Sequence, residues 1–384
     1  MKKWFYLGLG GLVAFEIAKV YFIMPMPGSQ RLDSLDFAYF LHTWRWAFRG
    51  VFGVMAVMGA QEAFRIRRKW LPLLAVLPAL GIGWLFNFKM TADHMFQEPV
   101  NPAYLDRGKN TVDEEAVVIG VEFNGEARAY PVRFIVYHHQ VRDTVGGRPV
   151  MVTYCSVCRT GRVFDPVVDG RAEQFRLVGM DHFNAMFEDA TTGSWWRQVS
   201  GEAVTGKRKG AQLAELPFTQ MTLKRWFDLH PDGRVLQPDG TDLAKFDAKG
   251  RFERGESKGE LTRTDPNSWA EKSWVLGVEA GPVSKAYDWN RLKAVRVIND
   301  EVGGTRVVLA LAQDGRSFAA FERLEGATFT LEGDTLAGGA KRYDFAGREL
   351  VTGDKPGARL NPVKASQEFW HSWRTFHPAT LRWE

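Results

Sequence analysis

Three apolar stretches crowd the first ninety residues of the chain, whereas the sequence beyond them mixes apolar and polar positions as soluble proteins do. Residues 4–26 and 70–88 are long enough, as helices, to cross a bilayer, and the latter stretch carries no charge. Residues 46–64 become a span only if Arg49 and Glu62 lie near the interfaces. The pattern predicts a membrane anchor at 1–90 with three transmembrane helices near 4–26, 46–64 and 70–88, or two if the middle stretch does not cross.

Charged residues refine this prediction. Glu16 and Lys19 lie on one face of the first predicted helix, where they can pair with each other or with polar groups of a neighbouring helix. Basic residues precede the first stretch and separate the second from the third, and such loops face the cytoplasm. We expect a protein of the bacterial inner (cytoplasmic) membrane, with the lipid bilayer as partner and the part beyond Lys89 on the periplasmic or extracytoplasmic side.

The soluble part contains one pattern twice. The segment VVIGVEFNGEARAYPV, from Val117, returns as WVLGVEAGPVSKAYDW, from Trp274, and the pair His230-Pro231 returns as His377-Pro378. We interpret this as a tandem duplication. The predicted domains are a first module at 99–232, a linker at 233–271 and a second module at 272–384.

Each copy reads mainly as β structure. Alternating apolar and polar positions around glycine turns predict hairpins, and each copy ends in a helix that stops at the His-Pro pair. The predicted fold class is α+β and mainly β: a tandemly duplicated β-rich module with short helices, preceded by the transmembrane helices.

The stretch TYCSVCRTG holds both cysteines of the chain, Cys155 and Cys158. Their counterparts in the second copy are Ala312 and Gly315, so the shared fold does not require thiols there. A CxxC turn between strands is the geometry of half a zinc site, and thiolates also favour Cu(I). With His138 as the third ligand, the pair predicts a thiophilic metal site that holds zinc or copper.

Two other uses of the cysteines stay open. One is thiol–disulfide exchange with Cys155 and Cys158 as the catalytic pair, although only Arg159 stands beside them in the sequence to favour a thiolate. The other is a structural disulfide, which would stabilise the fold by only about 2 kcal/mol across so short a loop. The sequence does not decide whether the protein is an enzyme.

A further alternative is a noncatalytic binding module. The segment GMDHFNAMFEDATTGSWWRQ, residues 179–198, combines polar and aromatic side chains as a pocket lining would. We predict that Asn184, Asp189 and Trp196 bind a small ligand or cofactor of unknown identity, with Trp195 beside them.

Composition narrows the function classes. The formal net charge of +5 comes partly from residues that flank the anchor, and no basic stripe interleaved with aromatics follows, so we expect no nucleic-acid partner. The sequence also contains no phosphate-binding glycine loop, nucleophile-elbow serine or HExxH motif. Reaction, substrate and oligomeric state stay open.

Three motifs in order resemble a bacterial family catalogued as domain of unknown function 3179: GVEFNGEARAYPV, VYHHQVRDTVGGRPVMVTYCSVCRTGRVFD and FEDATTGSWWRQVSGEAVTG. The similarity runs from about Pro99 to the C terminus. It gives weight to His138, whereas family members often have glutamate in place of His139 and a hydrophobic residue in place of His182. The resemblance implies no established activity and does not include the membrane anchor.

Overall fold

The computed structural model of the chain describes residues 2–238, 250–351 and 357–384. Its secondary structure is mixed α and β, rich in strands and with several short helices. Two compact units are present, one formed by Met1–Gln97 with Glu173–Gln212 and the other by Glu98–Ala172 with Leu213–Glu384. The linker predicted at 233–271 lies partly outside the described residues.

The first unit begins with the longest helices. They are α1 (Lys2–Tyr21), α2 (Leu35–Thr43), α3 (Arg45–Phe64), α4 (Trp70–Trp84) and α5 (Ala92–Met95), with a 3₁₀ turn at Ser29–Arg31 and a π-helical turn at Leu85–Lys89. Among the described helices one, Trp70–Lys89, is long and apolar enough to cross a membrane, with 20 residues and a mean hydropathy of 1.8. From the sequence we predict three spans, and the structure supports one of them. Helices α1 and α3 are less apolar because each carries charged residues, such as Glu16 and Arg49.

The second unit contains the short helices and most of the strands. Its helices are α6 (Val132–His138), α7 (Leu223–Leu229), α8 (Trp289–Val295) and α9 (Trp370–Phe376). The strands of the described chain are β1 (Tyr104–Leu105), β2 (Val117–Phe123), β3 (Glu126–Pro131), β4 (Gln140–Val145), β5 (Arg148–Cys155), β6 (Thr160–Phe164), β7 (Val167–Val168), β8 (Arg171–Ala172), β9 (Phe175–Asp181), β10 (Asn184–Asp189), β11 (Trp195–Arg197), β12 (Thr219–Thr222), β13 (Arg234–Leu236), β14 (Trp274–Ala280), β15 (Val283–Asp288), β16 (Val297–Val302), β17 (Thr305–Leu311), β18 (Phe318–Glu322), β19 (Phe329–Glu332), β20 (Thr335–Gly338), β21 (Lys341–Tyr343), β22 (Lys364–Phe369) and β23 (Leu381–Arg382).

The second unit is organised around two larger sheets. One has the strand order β1-β13-β3-β2-β12-β18-β17-β16, and the other has the order β22-β14-β15-β23. Smaller sheets are β4-β5-β6, β19-β20-β21 and the pair β7-β8. In the eight-stranded sheet β12 pairs with β18 only through Gln220 and Phe318, so the two strands diverge on leaving that pair.

The two halves of this unit have the same element order. The succession β2, β3, α6, β4, β5, β6 in one half corresponds to β14, β15, α8, β16, β17, β18 in the other. A buried tyrosine on the second strand donates to an aspartate in both halves: Tyr130 to Asp143 at 2.6 Å and Tyr287 to Asp300 at 2.8 Å. The repeated sequence pattern therefore coincides with repeated local structure.

A fully buried ion pair joins the two halves. Arg162 on β6 donates to Glu368 on β22 at 2.7 Å, and both side chains are inaccessible to solvent. Glu368 also accepts from Ser366 Oγ and Ser372 Oγ, each at 3.0 Å. The carboxylate thus has several hydrogen-bond donors, as a buried charge requires.

Glycines allow α1 and α3 to approach closely in the first unit. A Cβ atom added to Gly8 would lie 2.5 Å from the backbone nitrogen of Ala56, and one added to Gly59 would lie 2.2 Å from that of Phe5. Such distances are too short for any side chain, so the absence of a Cβ permits the helix contact.

We expect Gly59→Val to destabilise the first unit by about 2 kcal/mol, because the added side chain must push α1 away from α3. The matched control is Gly53→Val on the same helix, where an added Cβ meets nothing within 4 Å. Unfolding followed by circular dichroism compares the two variants. Equal loss in both would mean that valine acts through helix propensity alone.

A polar cluster ties α1 and α3 to the π-helical turn. Glu16 lies 2.9 Å from Lys19 and 2.7 Å from Arg49. The side-chain oxygen of Asn87 accepts from both cations at 2.6 Å, and its nitrogen donates to Glu16 at 2.9 Å. From the sequence we expect pairing with each other and pairing with a neighbouring helix as alternatives, and the structure has both.

The sheet β11-β10-β9 also belongs to the first unit. The backbone N–H of Met180 donates to the carbonyl of Ile23 at 2.7 Å, and that of Phe183 donates to Gln30 Oε1 at 3.1 Å. Residues 173–212 are therefore grouped with the N-terminal helices, whereas the sequence interpretation assigns them to the first β-rich module.

Candidate functional site

The CxxC segment forms the turn of a hairpin. Strand β5 ends at Cys155, β6 begins at Thr160, and these two residues pair across the hairpin. Arg159 closes the turn in the left-handed region with φ of 58°. Both cysteines, Cys155 and Cys158, are thiols whose side chains are fully buried. The turn therefore holds two thiols that are separated by two residues in the chain and shielded from solvent.

Residues from the second half of the unit cover this turn. The backbone N–H of Phe369 donates to the carbonyl of Cys158 at 2.9 Å. The carbonyl oxygen of Val157 lies 3.0 Å from Lys272 Nζ and 3.0 Å from His371 Nε2. Because Val157 stands between the two cysteines in the chain, an ammonium and an imidazole are held against the segment that carries both thiols.

Lys272 is a partly buried cation at this site. Its ammonium also donates to the carbonyl of Leu261 at 2.7 Å and lies 4.9 Å from the centre of the Phe369 ring. Burial lowers the pKa of Lys272, and the negative charge that Cys158 and Cys155 can carry opposes this shift. The ammonium and a thiolate therefore stabilise each other.

His371 is held in its neutral form. Burial, with the nearby Lys272 ammonium, lowers the pKa of His371 to about 3. The two groups are 3.1 Å apart, measured from His371 Nε2 to Lys272 Nζ. A neutral imidazole has a lone pair that can accept a hydrogen bond or bind a metal ion.

Arg159 is the cation next to Cys158 in the sequence, but its guanidinium contacts other residues. Its guanidinium donates to the backbone carbonyls of Phe252 and Glu253, at 2.9 and 2.8 Å, and lies 3.5 Å from the centre of the Trp274 ring. Burial lowers the pKa of Arg159. Its hydrogen bonds fasten the segment around Phe252 to the hairpin.

The predicted ligand His138 ends helix α6 and is buried. The next residue, His139, has a left-handed backbone, and its carbonyl accepts from the N–H of Tyr154 at 3.0 Å. His139 therefore lies opposite Tyr154, the residue that precedes Cys155 in the chain. In the part of the chain that the structure describes, no three His, Cys, Asp or Glu side chains are grouped so as to hold a metal ion. The role of His138 as a ligand stays a prediction.

The predicted ligand-binding residues lie in the first unit, and their polar atoms have partners within its sheet. Asp189 accepts from Trp196 Nε1 at 2.9 Å and from the hydroxyl of Thr192 at 2.9 Å. Asn184 donates to Gln198 at 3.0 Å. These hydrogen bonds give the three residues a structural role, and ligand binding by them stays a prediction.

Two further residues from the same segment also have internal partners. His182 lies 2.7 Å from Asp181, and this hydrogen bond raises the pKa of His182. Trp195 donates to Glu188 at 2.9 Å. The polar and aromatic composition of residues 179–198 therefore reflects side chains that bind one another.

Sequence reasoning missed Lys272 and His371, although the internal repeat contains a signal for them. Their counterparts in the first copy are Glu115 and Lys224, so neither residue is required by the shared fold. Both residues lie in the half of the repeat that has no cysteines, so a comparison limited to the half with the cysteines does not find them.

The profile of one protein family, described as a protein of unknown function (DUF3179), matches residues 99–380. Searches of curated proteins and of solved structures found no match to the chain. The family match takes in the CxxC hairpin, Lys272 and His371, and it begins after the N-terminal helices. Because it covers well over half of the sequence, the chain belongs to the DUF3179 family.

Proposed function

We propose that the DUF3179 domain binds a thiophilic metal ion through the thiolates of Cys155 and Cys158, with Lys272 as the counter-charge. The observation that carries the proposal is the partly buried ammonium, held 3.0 Å from the carbonyl of Val157 between the two cysteines. A cation withdrawn from water is stabilised by nearby negative charge, and ligand thiolates supply it.

Charge balance favours a monovalent ion. Two thiolates around Cu(I) carry one net negative charge, which the Lys272 ammonium neutralises. The same thiolates around Zn²⁺ are neutral and would leave the ammonium uncompensated. Thiolate sulfur is a ligand that Cu(I) selects. Zinc remains the alternative cofactor, with His138 or the neutral imidazole of His371 as a further ligand.

Elemental analysis of the purified full-length chain tests the proposal. Reduced protein exposed to Cu(I) and Zn²⁺ in turn, then desalted, should retain one copper ion per chain, and Cys155→Ser should abolish retention because one thiolate is lost. The sequence has only two cysteines, so no other thiol contributes. Absence of any stoichiometric metal in the parent protein would contradict the proposal.

Thiol–disulfide exchange is the second candidate, favoured by the same pairing of two thiols with a partly buried cation. One thiolate would attack a substrate disulfide and release one substrate thiol. The second cysteine would then displace the other, leaving an oxidised Cys155–Cys158 pair and a reduced substrate. An oxidised pair that dithiothreitol cannot reduce would contradict this alternative.

We further propose that the N-terminal helices anchor the domain in the bacterial inner membrane, with the domain on the extracytoplasmic side. The candidate span Trp70–Lys89 is only 6% buried, so most of its apolar surface faces outward. Soluble proteins rarely expose so large an apolar surface. Helices α1 and α3 would cross beside it, their charges paired within the Glu16 cluster.

Tandem duplication best accounts for the two halves of the second unit. The repeated strand order and the repeated Tyr–Asp hydrogen bonds support this origin. In this interpretation the first module supplies the cysteines, and the second supplies Lys272 and His371.

A further inference from the structure

A cavity of about 320 Å³ lies in the second unit, away from the CxxC turn in sequence and lined by residues of both halves. It opens where β12 and β18 diverge, and the single residue pair that joins these strands, Gln220 with Phe318, is part of its wall. Its volume falls at the lower end of the range for small-molecule sites, roughly 300–1,000 Å³. The divergence of the two strands therefore creates space for a small ligand.

The walls of the cavity are largely apolar. Aromatic rings and a leucine line it, with alanines that leave room between them: Phe218, Phe318, Phe321, Phe345, Leu360, Ala319, Ala320, Ala346 and Ala365. Such a lining suits a compact aromatic or branched aliphatic group, which gains free energy by leaving water.

One end of the cavity is charged. Glu122 and Arg359 line it, with their charged groups 4.0 Å apart. Arg348, which lines an adjoining cavity that shares Glu122, donates to this carboxylate at 3.1 Å. His230 lies 4.0 Å from the carboxylate, and burial lowers the pKa of His230, so its imidazole is neutral at physiological pH. Arg348 thus contacts Glu122 more closely than Arg359 does, which leaves the Arg359 guanidinium as the less tightly paired of the two cations.

Arg359 is the cation best placed to meet a ligand. Its side chain is 57% exposed, and its Nε donates to the carbonyl of Ala346 at 3.3 Å. Arg348 is the more constrained cation, since it binds both Glu122 and the carbonyl of Leu229. A planar guanidinium with outward N–H groups matches a carboxylate in two parallel hydrogen bonds.

We propose that this cavity binds a small monocarboxylate with an aromatic or branched aliphatic body, the carboxylate on Arg359 and the body among the phenylalanine rings. A single guanidinium in the lining fits one carboxylate group. The site is independent of the metal site, because none of its lining residues belongs to the CxxC turn or its cover.

Calorimetric titration of the full-length chain in lipid nanodiscs tests the proposal with three probes that differ only in the head group: phenylbutyrate, phenylbutylamine and phenylbutanol. Phenylbutyrate should bind at one site and most tightly. Arg359→Gln should weaken its binding about 10-fold, the loss expected for one charge-assisted interaction of about 1.4 kcal/mol. Arg342→Gln, an exposed arginine outside the cavity lining, should leave binding unchanged.

A second pair of variants tests the sign of the charge effect. Glu122→Gln removes the competing carboxylate and should tighten phenylbutyrate binding severalfold. The counterpart in the second copy is Glu279, which lies 2.9 Å from Lys364 and outside the cavity lining, so Glu279→Gln should have no effect. The proposal is overturned if phenylbutyrate shows no saturable binding, if the amine binds as tightly, or if Arg359→Gln binds like the parent.

Discussion

Replacing Glu368 with leucine is expected to lower the free energy of unfolding of the second unit by about 3–5 kcal/mol, because it removes one member of a buried ion pair. Arg162 would keep its charge, with its nearest remaining carboxylate, Glu215, at 3.4 Å. The two serine hydroxyls that donate to Glu368 would also lose their acceptor. Because the pair joins β6 to β22, the loss should loosen the contact between the two halves.

Chemical unfolding followed by tryptophan fluorescence measures this effect, with Glu325→Leu at an exposed position as the matched control. A double variant, Arg162→Met with Glu368→Leu, should recover much of the lost stability, since it leaves no unpaired buried charge. A shift in Glu368→Leu no larger than that in Glu325→Leu would show that the ion pair does not stabilise the fold.

Replacing Lys272 with leucine is expected to weaken Cu(I) binding about 10-fold, equivalent to ~1.4 kcal/mol, because the negatively charged bis-thiolate centre loses its counter-ion. The replacement is leucine, because leucine keeps part of the apolar stem and, unlike methionine, brings no thioether that could itself bind Cu(I). The affinity is measured by competition with a Cu(I) chelator on the full-length reduced chain. Lys272→Arg keeps the positive charge and should restore much of the affinity.

Lys293→Leu is the matched control, because Lys293 is an exposed lysine on α8. It should bind Cu(I) like the parent protein. An affinity in Lys272→Leu equal to that of the parent would exclude a role for the ammonium as counter-charge. An equal loss in Lys272→Leu and Lys272→Arg would show that Lys272 acts through packing instead.

Local patterns predict the elements of this fold well where each element is decided by nearby residues. The hairpin around TYCSVCRTG follows from β-branched residues on either side of a four-residue connection, and the structure has β5 and β6 there. Helices α7 and α9 each end directly before the predicted His-Pro stop. In both cases short-range turn and capping preferences act in the same direction as the final packing.

Long-range packing limits prediction elsewhere. Residues 173–212 belong with the N-terminal helices through contacts such as Met180 to Ile23, which are more than 150 residues apart and have no local signature. Helix α3 closely matches the prediction at 46–64, whereas α1 ends at Tyr21, five residues before the predicted end at 26. The charged residues of both helices pair within the Glu16 cluster, a contact that needs all three helical segments in place.

The candidate site shows the same division. The two cysteines and their turn are readable from the sequence, whereas Lys272 and His371 come from 114 and 213 residues beyond Cys158 and meet the turn only in the folded unit. The repeat comparison could have found them, since each differs from its counterpart in the other copy. Residues of both halves of the second unit form the candidate site, and only the packing of the halves brings them together.

X-ray absorption at the copper edge tests most directly whether the thiolates of Cys155 and Cys158 hold a thiophilic metal ion. The full-length chain would be loaded under reducing conditions with one equivalent of Cu(I) and compared with a Cys155→Ser, Cys158→Ser double variant. We predict that the first coordination shell of copper contains two sulfur atoms in the parent protein. The double variant should show no sulfur in that shell. A shell of nitrogen and oxygen without sulfur in the parent protein would contradict the claim.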